Sequence, residues 1–113
     1  MRFMVLLHED EQVWERATEA ERAEYGRRHE AFATAVGERG EIVSGEALRT
    51  VSAATTVRRD GDAVVVTEGP FAETVEQLGG FYVVDLPDLD AAIETVALLP
   101  AYTVEIRPVV DGP

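Results

Sequence analysis

Two helical patterns, each lying between short β-rich runs, constrain the fold of this chain more than any other feature of its sequence. The first helix is predicted to begin at Thr18, where the sequence matches a capping box, and to end near Arg39, with Gly40 as the C′ glycine that follows many helices. The second is predicted to begin after Asp88 as its N-cap and to end before Pro100. Each helix has one apolar stripe, so both are expected to pack on a sheet.

Six β-rich runs surround and separate these helices. They span about residues 2–8, 41–47, 53–59, 62–67, 80–86 and 103–109. The Asp60-Gly61 pair indicates that the third and fourth runs form a hairpin. The order β-α-β-(ββ)-β-α-β predicts an α+β fold of ferredoxin-like topology, an antiparallel sheet with two helices on one face. The uncovered face would be apolar, so a homodimer that pairs two sheets, a dimeric α+β barrel, is also predicted.

Composition narrows the possible functions. The 113 residues suffice for a single domain, spanning 1–113. The net charge of −12 argues against binding to nucleic acid or to an anionic membrane surface. The chain has no cysteine and no lysine, which excludes thiolate and Schiff-base catalysis by its side chains. Two histidines cannot build a closed Cys/His zinc site, and no phosphate-binding glycine motif occurs, so no metal or cofactor is predicted.

The N-terminal run resembles a strand and lacks the features of a secretory signal peptide. A cytoplasmic location is therefore expected.

The connection from Glu68 to Tyr82 is unusual because it is long and combines rigid with polar residues. It reads Glu-Gly-Pro-Phe-Ala-Glu-Thr-Val-Glu-Gln-Leu-Gly-Gly-Phe-Tyr. Connections between strands commonly have two to about six residues, and longer ones often carry functional groups. This connection is therefore a candidate site.

The same run closely resembles the signature of the YCII-related family, in the branch known as DGPF-domain proteins. The opening strand, Gly45-Glu46 and residues 55–58 and 105–108 also resemble that branch, so the similarity covers nearly the whole chain. The branch usually begins the signature with Asp, whereas this chain has Glu68.

The resemblance implies a dimeric α+β barrel and a family of proposed enzymes in which a His and an acidic residue in a cleft are thought to be catalytic. It also implies a possible partner, because members of this branch are often encoded beside extracytoplasmic-function sigma factors. The fold resembles that of muconolactone isomerases and small antibiotic-biosynthesis monooxygenases, which is an analogy of fold alone.

His29 is the candidate for the catalytic histidine. It shares a helical stripe with Tyr25, Phe32 and Val36, so it is expected to face inward. Held by a carboxylate beside a cavity, it would act as a general base. The alternative is a core histidine whose nitrogens are satisfied by a backbone carbonyl or a tyrosine hydroxyl.

The other candidates lie in or near the long connection. Glu68 and Glu73 are either acid–base partners of His29 or acceptors for N–H groups of the connection itself. Phe71 is expected to close the mouth of the barrel, and Gln77 either binds a ligand or ties the connection down. Arg58 either binds an anionic substrate or pairs with a nearby carboxylate.

Two functions follow from these residues. The first is a small-molecule pocket lined by His29, Glu68, Phe71 and Glu73, with cofactor-free lyase, isomerase or hydrolytic chemistry. The second is a ligand-sensing or interaction module without catalysis, associated with a sigma factor. No substrate is predicted.

Overall fold

A four-stranded antiparallel sheet forms the body of the protein in the computed structural model, which describes residues 1–111. Its spatial strand order is β2-β5-β1-β6, with β1 at Arg2–Glu9, β2 at Glu41–Ala47, β5 at Gln77–Asp85 and β6 at Thr103–Pro108. The remaining two strands, β3 (Thr55–Asp60) and β4 (Ala63–Glu68), pair with each other in a hairpin. The order of the main sheet is that of a ferredoxin-like fold, so the predicted α+β fold class is confirmed.

Three α-helices accompany the sheets in the described part of the chain. They are α1 (Glu11–Glu15), α2 (Glu19–Arg39) and α3 (Leu89–Val96). The Thr18 hydroxyl accepts a hydrogen bond from the Glu21 N–H at 3.1 Å, and the Glu21 carboxylate accepts one from the Thr18 N–H at 3.0 Å. The Asp88 carboxylate accepts from the Ala91 N–H at 2.8 Å. The predicted starts of both long helices are thus confirmed by their side-chain caps.

The hydrophobic core lies between the main sheet and the two longer helices. Its buried members are Phe3, Val5, Leu7, Phe32, Val36, Val84, Leu86, Ala91, Ala92 and Leu99. Side chains alternate between the two faces of a strand, so the odd-numbered residues of β1 point to the helices. Both helices therefore cover the same face.

Gly40 ends α2 for a different reason from the one predicted. A glycine after a helix commonly adopts a left-handed conformation, but Gly40 has a φ of −177°, which is extended backbone. A Cβ at this position would lie 1.9 Å from the carbonyl oxygen of Asp85. Close contact with the neighbouring strand, not backbone handedness, requires the glycine.

The strand β5 begins at Gln77, three residues before the predicted strand. The connection from β4 is therefore residues 69–76. Together with the hairpin it forms what we call the arm, residues 55–76. Three valines on one face of this arm are more than half exposed, at 59% for Val57, 61% for Val64 and 64% for Val66. The arm thus presents an apolar face that its own chain leaves uncovered.

Between residues 1 and 111, no helix is long and apolar enough to cross a membrane.

Candidate functional site

The inward face of α2 brings His29 to the sheet, as the helical stripe predicts. Phe32 and Val36 on that stripe are buried, while Tyr25 and His29, nearer the start of the helix, are half-buried. The stripe therefore runs from the hydrophobic core to a more open end of the helix–sheet interface, where polar groups meet.

Both ring nitrogens of His29 are hydrogen-bonded to tyrosine hydroxyls. Nδ1 lies 2.7 Å from the hydroxyl of Tyr82 in β5, and Nε2 lies 2.8 Å from the hydroxyl of Tyr102, just before β6. A neutral imidazole has one N–H and one lone pair. One tyrosine therefore donates to His29 and the other accepts from it.

Burial lowers the pKa of His29 below its ordinary value of 6.5, because an imidazolium would lose hydration there. At neutral pH the ring is consequently uncharged. Burial likewise raises the pKa of both tyrosines that contact it. The three side chains together form an uncharged group at pH 7 that can exchange protons.

The carboxylate of Glu9 extends this group through Tyr25. We call His29, the three tyrosines and Glu9 the cluster. The Tyr25 hydroxyl donates to Glu9, at 3.0 Å from one carboxylate oxygen and 3.1 Å from the other. Burial, together with the hydrogen bond to Glu9, raises the pKa of Tyr25 to about 12. Burial also raises the pKa of Glu9, and the Tyr25 hydrogen bond offsets part of that. The Tyr25 and Tyr102 rings meet edge to face with their centroids 5.9 Å apart, which joins Tyr25 and Glu9 to the group around His29.

Strand register places Tyr82 in this cluster. Tyr82 lies two residues before the buried Val84, so it points to the same, helix-covered face of β5. Its ring packs on Phe32 with centroids 4.7 Å apart. On β2 its cross-strand neighbour is Gly45, which has no side chain to displace the ring.

A cavity of about 820 Å³ opens beside the cluster. This volume is within the usual range for small-molecule sites. His29 and the three tyrosines line it together with Trp14 of α1 and Gly26 of α2. A Cβ added at Gly26 would have no other heavy atom within 4 Å, so the glycine leaves open space in the wall.

Glu11 ties the α1 wall of the cavity to residues on either side of the arm, Val51 before it and Gln77 after it. The side-chain oxygen of Gln77 accepts from the Glu11 N–H at 3.2 Å, and the Glu11 carboxylate accepts from the Val51 N–H at 2.8 Å. Gln77 also donates to the carbonyl of Thr74 at 2.7 Å. Of the two roles considered for Gln77, the structure shows that it ties the connection down.

The remaining predicted site residues lie on the arm and do not line this cavity. Glu68 ends β4 and Glu73 lies in the connection, and both are exposed. Phe71 is 77% exposed, so it does not close a cavity of its own subunit. Arg58 donates to the carbonyl of Phe71 at 3.3 Å and thereby holds the connection against β3.

The hydrogen bond considered between His29 and Glu68 or Glu73 is absent within residues 1–111, because tyrosines occupy both ring nitrogens. Sequence reasoning allowed a tyrosine partner but identified neither Tyr82 nor Tyr102. The spacing of Tyr82 from Val84 was the available signal. Glu9 and Trp14 were also missed, since no local pattern relates them to the helix.

Among residues 1–111 there is no group of three or more His, Asp or Glu side chains arranged to hold a metal ion. The polar side chains that line the cavity carry hydroxyl, imidazole, carboxylate and guanidinium groups.

Comparison with known proteins identifies the family of this chain. The model of the YCII-related domain matches residues 1–112. The chain belongs to the YCII-related family.

One relative of this YCII-related chain is Uncharacterized protein R00369 of Rhizobium meliloti (strain 1021). The two are 35% identical over 94 residues, which cover 83% of this chain and 76% of the relative. The YCII-related assignment therefore establishes the family of this chain and names no reaction.

Proposed function

We propose that this YCII-related protein is a cytoplasmic homodimer that binds a small organic molecule in the cavity of each subunit and performs cofactor-free acid–base chemistry through His29. The observation that carries the proposal is the pair of tyrosine hydroxyls on the two ring nitrogens, all of them in the cavity wall. A histidine that only filled the core would not need to border an open cavity.

The cluster offers a proton donor to the cavity in either tautomer. When Nε2 is unprotonated, Tyr102 donates to it, and Tyr82 accepts from Nδ1–H and keeps its own hydroxyl proton free. When Nδ1 is unprotonated, the roles of the two tyrosines exchange. One phenol is thus always free to donate to a ligand.

The same arrangement can remove a proton. A ligand C–H or O–H proton passes to the oxygen of the donating tyrosine while that tyrosine passes its own proton to the lone pair of His29. The products are a ligand anion, a neutral phenol and an imidazolium. The lowered pKa of His29 makes this imidazolium a good acid for returning the proton at another ligand atom. Isomerase and lyase reactions use such a sequence of steps.

The surface area of the chain supports the homodimer. It exposes 7913 Å², about 1,800 Å² more than a compact monomer of its 12.4 kDa mass. Its radius of gyration is 16.2 Å, against roughly 13 Å for a compact domain of this length. Permanent dimers commonly bury between about 1,000 and 2,500 Å² per subunit, so a dimer accounts for the excess.

In this dimer the arm of one subunit is proposed to cover apolar surface of the other. Phe71, Glu68 and Glu73 lie away from the cavity of their own subunit, so they contribute to a site only when the arm reaches the partner. In the proposed dimer, these three residues would therefore belong to the site of the partner subunit. The apolar face of the arm, with Val57, Val64 and Val66, supports that role.

Hydrogen exchange tests the chemistry even while the natural substrate is unidentified. A thermal-shift screen of metabolites identifies binders, and each binder is then incubated with the protein in D2O and followed by NMR. We expect the protein to catalyse deuterium incorporation at an acidic C–H, and His29→Gln to abolish it while the binder still raises the melting temperature. Binding without exchange or turnover for every hit would contradict the catalytic role.

A ligand-sensing module without catalysis is the second candidate. The observation that favours it is that, among the residues described, His29 contacts tyrosines and no carboxylate. Its proposed partner is an extracytoplasmic-function sigma factor, as the family branch suggests. Co-purification of a neighbouring sigma factor, retained by His29→Gln and altered by a thermal-shift hit, would favour the sensing module over the enzyme.

A further inference from the structure

The walls of the cavity combine aromatic rings with carboxylates. The rings are those of Trp14, Tyr25, Tyr82 and Tyr102, with Phe81 also at the wall. The acidic residues are Glu9, Glu11, Glu15 and Glu46, and the only guanidinium is that of Arg22. Glu46 lies opposite Phe81 in the β2–β5 register, one position away from Tyr82, so strand alternation directs it to the other sheet face. Three carboxylates remain on the cavity side.

The one arginine that lines the described wall, Arg22, already contacts an aromatic ring. The guanidinium carbon of Arg22 lies 4.6 Å from the ring centroid of Trp14, a cation–π contact. The same side chain donates to the carbonyl of Trp14 at 3.0 Å. The contact of Arg22 with Trp14 therefore shows that a cation can lie against this wall.

Glu9 has no cationic partner of its own. It accepts from Tyr25, but within residues 1–111 no basic side chain forms a salt bridge with Glu9, Glu11 or Glu15. A half-buried carboxylate without a counter-ion is costly, as the raised pKa of Glu9 indicates. A positive group in the cavity would compensate it.

The aromatic rings of the wall also favour a positively charged group in the cavity. The Trp14 and Tyr25 rings meet at 52° with centroids 5.4 Å apart, and the Tyr25 and Tyr102 rings meet at 80°. All three rings line the cavity, and the electron-rich faces of aromatic rings attract ammonium groups.

We propose that the cavity binds an organic cation, an amine or quaternary ammonium compound, with Glu9 as its counter-ion and the rings of Trp14 and Tyr25 around it. This assignment rests on the proposed function, since it names the ligand class of the same cavity. The net charge of −12 does not by itself explain this arrangement of the wall. A general surface charge would not place a carboxylate without a counter-ion among aromatic rings.

The single tryptophan of the chain makes the test direct. Because Trp14 lines the cavity, its fluorescence reports binding. Three probes of nearly equal shape differ in charge at neutral pH: benzylammonium, benzyl alcohol and benzoate. We expect benzylammonium to bind the full-length protein about tenfold more tightly than benzyl alcohol, and benzoate to bind most weakly.

The variant Glu9→Gln keeps an acceptor for the Tyr25 hydroxyl and removes the charge. It is expected to weaken the binding of benzylammonium about tenfold and to leave the binding of benzyl alcohol unchanged. Glu38→Gln, at an exposed position of α2, makes the same change in net charge and should affect neither probe. If Glu9→Gln fails to fold, the salt dependence of probe binding to the wild type is measured instead. Added salt should weaken the binding of benzylammonium more than that of benzyl alcohol.

The outcomes separate the two proposals. Equal affinity for the three probes, or tightest binding of benzoate, overturns the cation proposal and leaves the cavity as a small-molecule site. Failure of all three probes to bind overturns the cavity itself as a binding site. Selective binding of benzylammonium with no deuterium exchange in any screened hit supports the ligand class and contradicts only the chemistry.

Discussion

A Cβ on Gly45 would lie 2.6 Å from the ring of Tyr82, its neighbour across the β2–β5 pair. Real Cβ atoms do not approach a ring carbon so closely, so Tyr82 holds its position only because residue 45 has no side chain. An aromatic ring that packs over a cross-strand glycine also compensates for the weakness of glycine in a strand. Through Tyr82, this glycine determines where the hydroxyl on Nδ1 of His29 lies.

Gly45→Ala is therefore expected to displace the Tyr82 ring and break its hydrogen bond to His29. Overpacking of this kind reduces the free energy of unfolding by about 1–3 kcal/mol. Urea denaturation measures the loss. Gly79→Ala is the control, because a Cβ at position 79 of the same sheet would have no other heavy atom within 4 Å. Equal destabilisation of both variants would contradict the role of Gly45.

All three tyrosines of the chain belong to the cluster, and burial raises the pKa of each. An exposed phenol is half ionised at about pH 10. We expect little phenolate absorbance from the folded protein at that pH, and full titration near pH 10 once guanidinium chloride has unfolded it.

The same shifts predict how stability changes in alkali. A phenol with a raised pKa in the folded state stabilises the fold fully below the unfolded value of about 10 and loses that contribution as the pH rises through the folded values. The free energy of unfolding should thus fall above pH 10. Phenolate formation at pH 10 without unfolding would show that the cluster is more hydrated than the structure indicates.

Gly26 and Gly37 offer a matched pair on α2. Both lack heavy atoms within 4 Å of an added Cβ, but only Gly26 lines the cavity. Replacement by leucine should stabilise the helix by about 0.7 kcal/mol at either position. Only Gly26→Leu should fill the cavity. The probe is whichever of benzylammonium, benzyl alcohol and benzoate binds the wild type most tightly. Gly26→Leu should abolish the change in Trp14 fluorescence that this probe causes. Unchanged binding by Gly26→Leu would place the ligand elsewhere.

The arm should be required for the dimer. Val66 lies on its apolar face, and the neighbouring Thr67 lies on the opposite face. Light scattering should give wild type and Thr67→Asp twice the 12.4 kDa mass of the chain, and Val66→Asp the mass of a monomer. A monomeric wild type, or a Val66→Asp dimer of undiminished stability, would contradict the role of the arm.

The element order could be predicted from the sequence because each helix carries its own signals. The capping box at Thr18, the cap at Asp88 and the apolar stripe with His29 depend on residues close in sequence, and all three are present in the structure. The reason for Gly40 was predicted incorrectly because it depends on Asp85, 45 positions later, whose carbonyl oxygen would clash with a Cβ.

The site was less predictable because it depends on strand register. Tyr82 and Tyr102 lie 53 and 73 positions from His29, and no local pattern relates them to it. The carboxylates of the long connection were natural candidates because they are close together in the sequence. The structure places Glu68 and Glu73 on the arm, and their roles across a dimer interface stay a prediction.

We expect His29 to stay neutral between two tyrosines at pH 7 and to serve the cavity as its acid–base group. Titration of the imidazole nitrogens by NMR tests it most directly, with His29→Gln used to assign the resonances of the two histidines. The lowered pKa predicts a midpoint below 6.5 for His29, with its ring uncharged at pH 7 and its resonances shifted by a bound ligand. A midpoint at or above 6.5, with no response to any ligand that binds, would contradict the account.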